Sequence, residues 1–340
     1  MQKLNILLTS VSNSLGKIQN FKNALGKRGK VFTSCSVMTG AMLQADGYTI
    51  TPLIYDISYI DFLLSYCQLN QISAIIPSTD IDLPVLARNK ELFKKHGITV
   101  IVSDESAIQI CNDKWKTHQF LHSLGLNRPL SYIDKEMLKQ DIRYGKISFP
   151  VFIKPRWGTG SGGIFQAYTI EELDVLYQKS LKFIFNCSMK YESEAEKNVC
   201  VIMEEKIGGV EYGLDVLNDL NGNYVTTVAK KKYAMRDGAT DMAQIVDNKP
   251  FENIAKHIST HLKHVANLDI DLFLTPSGEI FVVDMNCRFG GQYTFTHLAG
   301  ANFPKQIVEW LMGNPTSTDY ITVSIGVKGV KELGLPVRVE

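Results

Sequence analysis

The sequence predicts a mixed α/β and α+β protein, in which a parallel sheet covered by helices is followed by antiparallel hairpins. Three observations carry that expectation: strand and helix patterns that alternate over residues 1–102, a glycine-rich loop between two apolar runs at 149–168, and a strand ending in Asp284-Met-Asn-Cys-Arg288. At 340 residues the chain exceeds one ordinary core and suits two or three packed subdomains. Hydrophobic residues make up 45% and charged residues 21%, the balance of a folded globular chain and not of a disordered one. The formal net charge of +1 gives no electrostatic case for nucleic acid or an anionic membrane surface.

Residues 4–8, 31–35, 74–76 and 99–102 are short apolar runs separated by helical patterns at 18–25, 59–69 and 84–96. Such alternation implies parallel strands joined by crossover helices. The loop at 10–16 follows the first strand and precedes a helix, the place where these sheets bind ligands. Its glycine spacing does not suit a dinucleotide, and the run at 31–35 lacks the terminal Asp or Glu that would hold a ribose. Lys3 and Asn5 bracket a short strand in place of a charged-then-apolar leader, and no apolar stretch approaches membrane-spanning length. Cys35, Cys67, Cys111, Cys187, Cys200 and Cys287 are scattered without a Cys-x-x-Cys pair and read as reduced thiols. The expectation is a cytoplasmic protein with neither membrane nor nucleic acid as a partner.

Asn112 or Asp113 can cap a helix at 114–124, which Gly125 and Pro129 stop. Lys114 opposes the helix dipole in the first turn, so an external anion is one reason for its place and plain solvation the other. An apolar strand then delivers Lys154 to a loop containing Gly158, Gly160, Ser161, Gly162 and Gly163. Glycine permits the φ values and close approach with which backbone N–H groups surround phosphates. No Gly-Lys-Ser/Thr follows, so this is not a P-loop, and a strand comes next where the dinucleotide fingerprint needs a helix. A flexible hairpin loop is the competing reading. The stretch 192–197 reads as a solvated connection.

A hairpin at 212–217 and 224–229 turns through Asn221-Gly222 and ends in Lys230-Lys-Lys232, followed by Arg236. Read alone, the cationic run is an edge that deters aggregation. His257, His261 and His264 have a zinc-like spacing, but Ile254, Ile258, Leu262 and Val265 already give that helix a packing face, so a plain surface is expected. The strand at 280–283 follows Pro276-Ser-Gly278 and reads as the second half of a hairpin begun at Ile270. Alternation puts Asp284, Asn286 and Arg288 on one face, with Asp271 within about one residue of opposite Asp284. Two carboxylates and an amide oxygen suit Mg²⁺ that arrives with a nucleotide; a solvated strand end would carry the same residues. Residues 316–340 carry no assignable chemistry.

Taken together, these stretches resemble the ATP-grasp superfamily, and within it the carbamoyl-phosphate-synthase-like branch, from Leu4 to about Gly313. The resemblance rests on their order: Phe149-Pro-Val-Phe-Ile-Lys154-Pro with its glycine loop, then Glu204 to Tyr212, then the acidic-x-Asn-x-Arg strand. It implies a Rossmann-like pre-ATP-grasp α/β domain at 1–112, a small ATP-grasp lobe at 113–205 and a large lobe at 206–315, these two built on antiparallel sheets. Residues 316–340 are left as a tail. The cofactors implied are ATP and one or two Mg²⁺, with Mn²⁺ as an alternative.

By the same resemblance, Lys114, Lys154, Gly158, Gly160, Ser161 and Gly162 meet the nucleotide, Glu204 lies near the adenine amino group, Lys206 makes a backbone contact and Glu211 holds the ribose. Asp271, Asp284 and Asn286 are the implied metal ligands, while Lys232, Arg236 and Arg288 approach the phosphates or the substrate. Residues 10–16 and 77–80 border the substrate site. The implied reaction is ATP-dependent joining of a small carboxylate to an amine through an acyl phosphate, with ADP and phosphate released and a homodimer as the implied assembly. Phosphotransfer without ligation and a non-catalytic ATP-binding regulator are the alternatives. Asp284 stands where the family usually has Glu, and the position of Asp271 is commonly Gln or another acid, so the metal count stays open. A carbamoyl phosphate synthase large subunit has two such modules and this chain one, so bicarbonate is not implied.

Overall fold

The computed structural model describes residues 3–12, 15–158, 160, 162–236, 238–332 and 335–339, arranged around three sheets. The first is parallel, with Asn5–Thr9 (β1), Val31–Cys35 (β2), Gly47–Ile50 (β3), Ile72–Pro77 (β4) and Thr99–Val100 (β5) in the order β3-β2-β1-β4-β5. Alternate residues of β1 serve opposite faces: Leu7 packs with Tyr59 and Leu63, while Ile6 and Leu8 pack with Ile18 and Phe21. Burial on both sides explains why β1 is an unbroken apolar run. The strand β3 was not expected, because its residues alternate between half-buried and exposed and include Gly47 and Thr49. The helix expected at 84–96 is broken at Asn89 into Leu83–Arg88 and Lys90–Lys95.

The second sheet, antiparallel, holds Ser131–Tyr132 (β6), Val151–Pro155 (β7), Phe165–Ala167 (β8) and Val201–Glu205 (β9) in the order β6-β9-β7-β8. Ile153 and Met203 pack with Leu173 and Ile184 of the helix Ile170–Phe185. Because Lys154 is registered with Ile202, the side chains of Lys154 and Glu204 emerge on the same face.

Seven antiparallel strands form the third sheet: Val210–Asn218 (β10), Tyr224–Arg236 (β11), Ala239–Val246 (β12), Asn267–Leu274 (β13), Ile280–Asn286 (β14), Lys328–Glu332 (β15) and Leu335–Val339 (β16). Their order is β14-β13-β10-β11-β12-β15-β16, so the tail extends this sheet where the sequence suggested nothing. The helix Lys249–Leu262 buries Phe251, Ala255, Ile258 and Leu262 among Leu214, Val216 and Ile270. His257 and His261 stay exposed as expected, but His264 does not. Lys263 turns left-handed at φ 52°, and His264 then enters the core with Nε2 3.1 Å from the Val216 carbonyl. Burial lowers its pKa to about 4, so it packs as a neutral ring. The cationic run is likewise not a solvated edge, since Lys230 is fully buried against Asp215 and Thr296.

Candidate active site

Residues of the second and third sheets, with Gly16, Lys17 and the segment 78–80 after β4, line a cleft of about 570 Å³. Lys114, Lys154, Gly158, Gly160, Gly162, Lys232, Asp271, Asp284, Asn286 and Arg288 all line it. Ser161 lies outside the described residues.

On the wall built by the second sheet, Lys154 Nζ sits 2.6 Å from Glu204 Oε2, and His118 Nε2 lies 2.8 Å from Oε1 of the same carboxylate. Burial alone would raise the Glu204 pKa, but Lys154 and His118 hold it down to about 2. Glu204 therefore stays ionised behind Lys154 and fixes where that ammonium can point. His118 was not anticipated. The available signal was helical spacing, because it follows Lys114 by four residues and shares its face.

The glycine loop is tied down at its base. Asp113 caps the helix Lys114–Ser123, accepting from Trp115 N at 3.0 Å and Lys116 N at 3.4 Å, and takes two 2.7 Å hydrogen bonds from the Arg156 guanidinium. Lys114 Nζ donates to the Gly158 carbonyl at 2.8 Å. Gly158 has φ 104°, and a Cβ there would come within 2.6 Å of Met189 Cε, so the position suits glycine on both counts.

Opposite, the β13–β14 register sets Asp271 against Asp284 and Asp269 against Asn286, gathering four polar side chains on one face. Lys232 reaches across from β11, donating to Asp271 Oδ1 at 2.6 Å and Glu211 Oε1 at 2.7 Å. Burial would lower its pKa, but the two carboxylates raise it instead. Gln292 bonds both Asp269 and Asp271, the latter at 3.1 Å. Glycines make that packing possible: a Cβ on Gly213 would fall 1.5 Å from Gln292 Oε1, and one on Gly290 would fall 2.0 Å from Asp269 Oδ2.

Arg288 donates through Nε and Nη2 to Asp80 Oδ2 at 2.9 and 2.7 Å, and through Nη1 to Asp269 Oδ2 at 3.3 Å. The loop after β4 is thereby fastened to the end of β14. Burial and Asp271 push the Asp269 carboxyl above its ordinary range, with Arg288 opposing. Two further cations were missed, both brought in by topology. Lys17 donates to the Ser78 carbonyl at 3.1 Å, and Lys331 arrives on β15; burial lowers both ammonium pKa values, that of Lys17 to about 7.

Among the described residues no group of three or more His, Cys, Asp and Glu converges on one point. Asp271 is engaged by Lys232 and Gln292, which leaves Asp284 and Asn286, linked only by a 3.4 Å contact, as the oxygen donors with least prior engagement. One carboxylate and one amide oxygen are hard donors that fit Mg²⁺ carrying its own water and phosphate ligands.

Four of the expected residues, Glu204, Lys206, Glu211 and Arg236, are absent from the lining of this cleft. Arg236 is on the β11–β12 hairpin with its side chain 66% exposed, bonded to Asp241 at 2.8 Å, and does not line the cleft. Lys206 is exposed after β9 and also lies off the cleft wall. Glu211 stands behind Lys232 and not on the lining itself.

Residues 147–296 match the ATP-grasp domain family, and residues 6–101 match the family of PylC-like N-terminal domains. Residues 147–296 are an ATP-grasp domain. The chain is similar to the carbamoyl phosphate synthase large chain of Haemophilus ducreyi, 22% identical over 258 residues that cover 70% of this chain and 23% of that one. A carbamoyl-phosphate synthase of Methanobrevibacter smithii is 24% identical over 258 residues, covering 71% of this chain and 64% of its own length. The chain thus spans less than two thirds of the length of these relatives.

In fold it resembles the biotin carboxylase domain of Hydrogenobacter thermophilus 2-oxoglutarate carboxylase, with a TM-score of 0.74 at 15% identity, covering 97% of this chain and 74% of that one. An L-amino acid ligase from Bacillus licheniformis gives a TM-score of 0.74 at 17% identity, covering 97% and 81%. Among the described residues no helix is long and apolar enough to cross a membrane.

The position of Arg236 yields a test. Arg236→Ala should change stability by less than about 0.5 kcal/mol and ATP affinity by less than about threefold, because an exposed ion pair contributes little. Urea unfolding and calorimetric titration read both. A tenfold loss of affinity would bring Arg236 back to the nucleotide.

Proposed function

We propose that this ATP-grasp protein is an ATP-dependent carboxylate–amine ligase that works through an acyl phosphate. The observation that supports it most is one cleft with Lys114, Lys154 and a glycine loop on one wall, and Asp284, Asn286 and Arg288 on the other. Phosphoryl transfer needs positioning and charge neutralisation more than covalent help from the protein. In this reading Lys114, Lys154 and the loop N–H groups hold the phosphates, and Glu204, expected near the adenine amino group, also orients Lys154. Glu211, with its side chain 27% exposed, keeps an oxygen for the ribose. Asp284 and Asn286 would hold Mg²⁺, which would supply neutralisation of phosphate charge. Arg288 offers its planar fork, now shared with Asp80, to a substrate carboxylate.

The carboxylate oxygen attacks the γ-phosphorus and ADP leaves. The amine then attacks the acyl carbon, loses a proton, and phosphate leaves. The lobes proposed for this work run 1–112, 113–205 and 206–315, with the tail adding Lys331. A homodimer belongs to the same proposal, on the precedent of the carboxylase domain dimer. Chromatography of the spent nucleotide tests the chemistry: amine-dependent ADP with equimolar phosphate is the expected result. AMP would overturn it, and ADP without free phosphate would favour simple phosphotransfer.

A further inference from the structure

A second cavity, of about 410 Å³, shares Asp80, Lys114, Gly158 and Asn286 with the cleft and extends to the ends of β1, β2 and β3. One wall is Leu53, Ile54 and Tyr55, from the segment after β3; the other is Met189, Tyr191 and Glu192, at the short helix Lys190–Ser193. The rings of Tyr55 and Tyr191 stack across it with centroids 4.2 Å apart and planes 23° from parallel. Residues 192–197, expected as a solvated connection, are therefore partly a cavity wall.

Asp113 is paired with Arg156, and Asp80 with Arg288 through Oδ2 while its Oδ1 has no partner; half-buried Glu192 makes no hydrogen bond or ion pair among the described residues. Burial, with Asp80 adding repulsion and Lys114 opposing, raises its carboxyl to about 7. A carboxylate taken partly out of water without a partner is unfavourable, and a cationic ligand would supply what is missing. Lys114, the lysine on this cavity's lining, faces the phosphoryl cleft as well, while Asp80 and Glu192 put two carboxylates on this cavity, so it is better matched to a cation than to an anion.

We infer that the second cavity binds the amine substrate, an amino compound of amino-acid size with an apolar or aromatic body, whose ammonium group pairs with Glu192. This rests on the ligase reading above for the use made of the amine. The apolar body lies between Leu53 and Ile54 on one side and Met189 on the other, and the volume is near the lower end for small-molecule sites, about 300–1,000 Å³. The shared wall at Asp80 and Asn286 gives the amine a path to the phosphoryl cleft.

Calorimetric titration with phenethylamine, in the presence of MgADP, tests the inference against two controls: 3-phenylpropanol, which lacks the ammonium, and ethanolamine, which lacks the apolar body. Phenethylamine should bind at least tenfold more tightly than either. Glu192→Gln should weaken it by tenfold or more with ATP affinity within twofold of wild type, and Glu192→Asp should recover part of the loss. Equal binding of 3-phenylpropanol, unchanged binding in a folded Glu192→Gln protein, or no binding of phenethylamine to wild type would overturn the inference. Binding of phenethylamine by a protein that takes up no ATP would instead overturn the ligase reading and leave the amine site standing.

Discussion

Replacing Lys154 with Met is expected to weaken ATP binding roughly ten- to a hundredfold and to destabilise the fold by about 3–5 kcal/mol. The first effect is the loss of a charge-assisted contact to phosphate. The second follows from Glu204, whose side chain is 5% exposed and would keep only His118 as a partner. Removing one member of a buried pair leaves the other charge uncompensated, which costs more than the pair contributes when intact.

Acid gives an independent reading of the same pair. The Glu204 carboxyl is held down to about 2 from an ordinary 4.5, so its stabilising contribution is complete above about pH 4.5 and is lost as the pH falls toward 2. That contribution is on the order of 3 kcal/mol. In Lys154→Met the depression shrinks, so acid destabilisation should shrink too, even though the variant is weaker at neutral pH. Urea unfolding at pH 7 and pH 3 measures both quantities. Adding Glu204→Gln to Lys154→Met should restore much of the stability and none of the ATP affinity. A single variant with wild-type stability at pH 7 would show that the pair is not buried in solution.

Asp284→Asn is expected to lower turnover on the order of a hundred- to a thousandfold while the protein stays folded. The substitution keeps size and hydrogen-bonding capacity, and the 3.4 Å contact with Asn286 is too long to hold the strand end together. What it removes is the one carboxylate on the metal face that neither Lys232 nor Arg288 pairs with. Lys154 and the glycine loop remain, so ATP should still bind, but with little dependence on Mg²⁺. Phosphate release and ATP affinity, each measured across a Mg²⁺ series, separate the two effects. Wild-type turnover at saturating Mg²⁺ would place the metal elsewhere.

Much of this site was legible because strand periodicity is rigid. Asp271 was expected within about one residue of Asp284 and is registered directly with it. The same alternation exposes Asp269, two residues before Asp271, and that signal was in the sequence unused. Lys154 was found from its loop, but its partners Glu204 and His118 come from a different strand and a different helix, and no local pattern links them. The side chains of Arg236 and Lys206 lie off the cleft for a related reason: residue type and family order say nothing about how far β11 extends before it turns, or which way a connection faces. Lys17 and Lys331 reach the cleft only because β1 ends beside β4 and β15 joins β12. Such pairings are set by the packing of whole sheets. The N-terminal sheet, by contrast, was readable because doubly buried strands leave unbroken apolar runs.

The central claim is that the cleft between the second and third sheets receives the terminal phosphates of ATP with Mg²⁺. Calorimetric titration of the wild-type protein with ATP, with and without Mg²⁺, tests it most directly. Saturable binding of one nucleotide per chain is expected, tighter with Mg²⁺ than without, and with the Mg²⁺ effect lost in Asp284→Asn. Absence of binding at millimolar MgATP, or binding whose Mg²⁺ dependence survives in Asp284→Asn, would contradict it.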